Sequence, residues 1–74
     1  MIELLNEVAA LVGAYAKEQG AEYSMKYEET TQKLDAQMHT PNHMASVFYG
    51  PEDWAAGATA EDVVAFLKKT WEDE

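Results

Sequence analysis

The chain has no cysteine. Disulfides, thiolate metal ligands and a cysteine nucleophile are excluded together, and with them the small secreted scaffolds that use disulfides to offset a thin core. Two Trp, four Tyr, two Phe and four Met have to supply the packing instead. Arginine is absent as well: the five basic residues are all lysine, against fourteen aspartates and glutamates, for a net charge of −9 at pH 7. Arginine makes most bidentate contacts to phosphate and guanine, and a surface of this sign repels a polyanion, so direct nucleic-acid binding is not expected. Anionic membrane surfaces are disfavoured for the same reason. No stretch approaches the roughly 18 uninterrupted apolar residues of a membrane span. Residues 1–7 carry acids and no basic cluster, which is not the pattern of a signal peptide. A soluble, cytoplasmic protein is the expectation.

At 74 residues the chain is expected to form one domain, residues 1–74. Folding at this size hides only about 60% of the surface of the unfolded chain, so a deep substrate pocket with its own supporting shell is hard to build. That argues against an enzyme.

Residues 2–19 read as an amphipathic helix. Leu4, Leu5, Val8, Leu11, Val12 and Tyr15 recur at steps of three and four, while Asn6, Glu7, Lys17 and Glu18 take the other side. Gly20 follows as a left-handed C-terminal stop, and Lys17 lies near the negative end of the helix dipole. A second helix begins after Thr59, which with Asp62 approximates a capping box. Val63, Phe66, Leu67, Thr70 and Trp71 form its stripe, with Glu61 and Asp62 in the first turn and Lys68 and Lys69 towards the end, as the dipole favours.

Between the helices two readings compete. Tyr23, Met25 and Tyr27 alternate with Glu22, Ser24, Lys26 and Glu28, and Leu34, Ala36 and Met38 alternate with Lys33, Asp35, Gln37 and His39, at the strand period of two. Thr40, Pro41, Asn42 and His43 make a turn, and Ala45 to Tyr49 is a third strand ended by Gly50 and Pro51. The alternative is all-α: Tyr23, Tyr27, Thr30, Leu34 and Met38 fall on one face of a long helix, followed by a short one, giving three to four helices. The strand reading is preferred because two alternating runs flank a good turn and Thr30 and Thr31 are poor helix formers. The fold class is therefore α+β: helix, three-stranded antiparallel sheet, helix, with residues 51–58 as a surface loop pinned by Trp54 and both helices on one side of the sheet. The third strand has apolar residues on both faces, so one set, either Ala45, Val47 and Tyr49 or Met44, Ser46 and Phe48, has nothing in the domain to pack against.

Tests for chemistry come out poorly. His39 and His43 are the only histidines; a two-residue turn at Pro41 and Asn42 puts them on opposite sides of the sheet, a three-residue loop pairs them, and a helix aligns them. No zinc-binding spacing surrounds them, so they read as solvated turn residues and no metal or cofactor is expected. The acid pairs Glu28–Glu29, Glu52–Asp53 and Glu61–Asp62, and the terminal Glu72, Asp73 and Glu74, read as solvated charge, because acid–base catalysis needs two carboxylates in unlike environments. Ser24 and Ser46 lie in no nucleophile elbow, the glycines form no phosphate-cradling loop, and no calcium-loop spacing occurs. Trp54 and Trp71 read as core residues or as binding anchors. The element order resembles that of double-stranded-RNA-binding domains, but the lysine-rich helix start that grips phosphate in that family is replaced by Glu61 and Asp62, so the function does not carry over.

The composition points instead to a non-enzymatic, acidic protein-binding module that docks on a basic surface, most plainly that of a nucleic-acid-binding protein whose phosphate sites its carboxylates would fill. Small acidic inhibitors of phage or mobile elements, such as anti-CRISPR or anti-restriction proteins that act as DNA mimics, are analogous in charge and size. The candidate partner-binding residues are Glu22, Glu28, Glu29, Asp35, Phe48, Glu52, Asp53 and Trp54. The alternative is a small adaptor or homodimer subunit associating through the spare apolar face of the third strand.

Overall fold

The computed structural model describes residues 2–73. Its order is α1 (Ile2–Gln19), β1 (Glu22–Glu28), β2 (Lys33–Thr40), β3 (His43–Tyr49), α2 (Pro51–Ala55) and α3 (Ala60–Asp73), with the strands in the antiparallel order β1-β2-β3. This is the α+β reading, and the all-helical one fails in the stretch where alternation competed with the helical period. Leu34, Ala36, Met38, Ala45 and Val47 are buried on one side of the sheet against Val8, Val12, Tyr15 and Ala16 of α1 and Val63, Val64, Leu67 and Trp71 of α3. A helix through residues 23–38 would have kept Leu34 and Met38 together but turned Ala36, which is fully buried, away from this core. No helix is long and apolar enough to cross a membrane among the described residues.

Local signals explain the boundaries. Gly20 adopts φ +66, the left-handed conformation that closes α1, and the Ala21 N–H reaches back to the Ala16 carbonyl at 2.8 Å. Gly13, inside α1, lets that helix approach β1: a Cβ there would lie 3.2 Å from the Tyr23 ring. The β2–β3 turn has Pro41 and Asn42 at its centre, with Thr40 opposite His43. The β1–β2 turn, which lacks Gly, Pro, Asn and Asp, is held by the Thr30 N–H donating to the Glu28 carboxylate at 3.2 Å and by Gln32 at φ 56.

Residues 51–58 differ from the expected loop. Gly50 and Pro51 end β3 and at once start α2: Pro suits the first helical position, and the Asp53 carboxylate accepts the Gly50 N–H at 2.8 Å. Two residues assigned to the helix stripes also sit elsewhere. Leu11 is exposed at the margin of α1, and Phe66 is 51% exposed because Val64, not Phe66, completes the buried face of α3.

Candidate functional site

Both helices lie against one side of the sheet, so the other side is bare. It carries Glu22, Ser24, Lys26 and Glu28 from β1, Lys33, Asp35, Gln37 and His39 from β2, and Met44, Ser46 and Phe48 from β3. The third strand thus resolves its ambiguity: Ala45 and Val47 are core, while Phe48 and Met44 are 70% and 57% exposed on the open face.

The register sets the electrostatics of this face. Glu28 is directly opposite Lys33, Lys26 opposite Asp35, and Glu22 opposite His39, with the last pair in contact at 3.2 Å. Cross-strand neighbours on one face have Cβ atoms about 5 Å apart, so each acid has a base beside it. The open face is a charge-mixed surface. Glu22 and Glu28 stand at opposite ends of β1, about 20 Å apart, and Glu22 lies at the β2–β3 turn end, away from the other candidates.

The remaining candidates gather at the far end, where the β1–β2 turn meets α2 and the start of α3. The Trp54 indole N–H donates to the Gln32 carbonyl at 2.7 Å, drawing α2 onto the turn that holds Glu29. Trp54 also stacks on Tyr49, with centroids 5.5 Å apart, and Phe66 meets the Tyr49 ring edge-on at 6.3 Å. The Tyr49 hydroxyl donates to the Asp62 carbonyl at 3.4 Å, and its pKa is raised by burial, then by the charges of Asp53 and Asp62. Glu29, Glu52, Asp53, Glu61 and Asp62 are therefore exposed around one aromatic cluster, and no lysine occurs in sequence between Lys33 and Lys68. Asp53 and Asp62 are engaged in helix capping, whereas Glu52 and Glu61 have no hydrogen-bond or ion-pair partner among the described residues. Beside this end an open groove of about 680 Å³ runs between Lys26, Glu28, Asp35, Phe48 and Tyr49.

The contributions of Glu61, Tyr49 and Phe66 to this end were missed in the sequence. Only the exposed position of Phe66 at the stripe's margin could have pointed to it. Glu74 lies outside the described residues. The histidines separate as a two-residue turn requires. His39 faces Glu22 on the open side, while His43, half-buried rather than solvated, lies under the helices with its Nε2 2.7 Å from the Trp71 carbonyl and its ring 4.1 Å from the Trp71 indole. A carbonyl only accepts, so Nε2 carries the proton and serves one of the unpaired carbonyls at the end of α3. No group of three metal-ligating side chains converges among the described residues. Comparison with protein-family models, curated proteins and solved structures finds no match.

Proposed function

We propose that this chain is a non-enzymatic protein-binding module that docks its carboxylates on the basic surface of a nucleic-acid-binding protein, in the manner of a small inhibitor or decoy. The observation that supports it is the accumulation of uncompensated acids at one end of the fold. Glu52 and Glu61 project there from the lysine-free stretch between Lys33 and Lys68, with Glu29 on the adjoining turn, while Glu28 and Asp35, expected to share the work, face Lys33 and Lys26 across the sheet. The docking end is thus the β1–β2 turn, α2 and the first turn of α3, with Trp54 and Tyr49 as its rigid support. Capped helix starts and a tied turn hold the backbone that carries these carboxylates, which lowers the ordering cost of binding to that of the side chains alone.

The test begins with capture of partners from the native host and proceeds with a captured basic protein. Association should slow as salt rises, and DNA or RNA should compete. The triple variant Glu29→Gln, Glu52→Gln, Glu61→Gln keeps both capping aspartates and should lower the on-rate by about tenfold while flattening its salt dependence. An unchanged rate and salt slope in that variant eliminates this end as the docking site.

A further inference from the structure

We propose that the open face of the sheet is a self-association surface, on which a second copy of this chain packs with each Phe48 seated in the groove of the other copy. Three observations converge on it. The first is the charge inventory. Of the fourteen acids and five lysines, the open face holds three acids, two lysines and His39, which leaves eleven acids and three lysines for the rest of the chain. Two molecules of charge −9 repel each other overall. Here the surface is close to neutral, with each acid opposed by a base in its own sheet.

The second observation is the apolar excess on the same face. Phe48 and Met44, 70% and 57% exposed, stand outside the core cluster of the described residues. The third is the groove, bordered on this face by Lys26, Glu28, Lys33 and Asp35 with Phe48 itself among them, while Tyr27, Leu34 and Tyr49, which also line it, alternate to the core side. A side chain that borders the pocket it would fill in its neighbour is what a two-fold, self-complementary interface requires: one axis beside Phe48 satisfies both copies. A basic protein gains little from a face whose three acids are each opposed by a base, and a nucleic acid is repelled by the net charge, so a second copy is the occupant the chemistry favours. Three short strands offer a small area, below about 1,200 Å² in total, and the dimer is correspondingly weak, in the micromolar range.

Sedimentation equilibrium of the whole chain, from about 10 μM to 1 mM, tests this at low and high salt. The mass should rise with concentration from that of the monomer to twice it, and the dissociation constant should fall at least about threefold as salt screens the mutual repulsion. That sign is opposite to docking on a basic partner, so the two readings fail separately. Phe48→Glu should stay monomeric at every concentration with an unchanged circular dichroism spectrum, since its side chain is mostly in solvent in the monomer. Lys26→Glu, which keeps Phe48 but makes the face acidic, should weaken the dimer about tenfold at low salt. A wild-type chain that remains monomeric throughout, or a Phe48→Glu chain that still dimerises, overturns the proposal. So does a monomeric wild type whose Phe48→Glu variant loses a basic partner, because the face is then that partner's.

Discussion

Asp53 and Asp62 occupy equivalent places in two helices, each three residues after a backbone N–H that its carboxylate accepts, from Gly50 at 2.8 Å and from Thr59 at 2.9 Å. At α3 the box is reciprocal, because the Asp62 N–H donates to the Thr59 hydroxyl at 3.2 Å. Thr59→Ala should therefore cost about 1 kcal/mol in a urea titration, as loss of such caps does. A cost below about a quarter of that would show that Thr59 does not cap the helix. A second residue-scale effect concerns Tyr15, whose pKa is raised by its burial and then by the Glu72 carboxylate, to which its hydroxyl donates at 3.2 Å. In the unfolded chain this hydroxyl ionises near 10.0. The native state holds the proton more firmly, so its contribution to stability is complete below that pH and is lost as pH rises through the higher folded value. The urea midpoint should decline in that alkaline window. Tyr15→Phe should show a lower midpoint at neutral pH but a shallower alkaline decline, and an identical decline would remove Tyr15 as a cause.

At the scale of elements, α2 shows what short-range signals do and do not carry. A five-residue helix cannot stand alone in water, and this one is held by its capping aspartate and by Trp54, through the bond to Gln32 and the stack on Tyr49. Trp54→Phe keeps the stacking ring but removes the N–H, so it should cost about 1 kcal/mol. The loss should appear first as faster amide exchange at residues 53–56 and in the β1–β2 turn; unchanged exchange there would mean that the bond does not join these elements. Gly50 and Pro51 were legible as a break but not as a helix start, because Pro terminates a strand and opens a helix by the same missing N–H. The β1–β2 turn was obscure because Gln32 takes a left-handed conformation that Gly or Asn usually fills, with Trp54, distant in sequence, bound to its carbonyl. The helices and the period-two strands were legible because their faces match a single core. The charge-mixed face was not, since Lys26 and Lys33 look like interruptions of an acidic stripe until the register sets them opposite Asp35 and Glu28.

For the whole molecule, the dominant electrostatic fact is repulsion. Among the described residues the one close contact between an acidic and a basic side chain is Glu22 with His39, both exposed, and no lysine lies within ion-pairing distance of a carboxylate. Added salt therefore has little attraction to screen and much repulsion, the reverse of a protein laced with surface ion pairs. The compact state should gain more from screening than the expanded chain, where the same charges stand farther apart. The melting temperature should rise as sodium chloride goes from about 10 to 300 mM, a range over which the Debye length falls from about 30 Å to well under 10 Å. For a chain of this length each 1 kcal/mol gained at the transition is worth about 4–8 °C, so a rise of several degrees is expected. The measurement is made at low protein concentration, where the weak dimer is dissociated, and repeated with Phe48→Glu, so that salt-promoted association does not enter. A melting temperature that falls with salt in both chains would mean that the lysines of the folded protein hold favourable charge contacts, and that the acids are not the uncompensated surface on which docking to a basic partner depends.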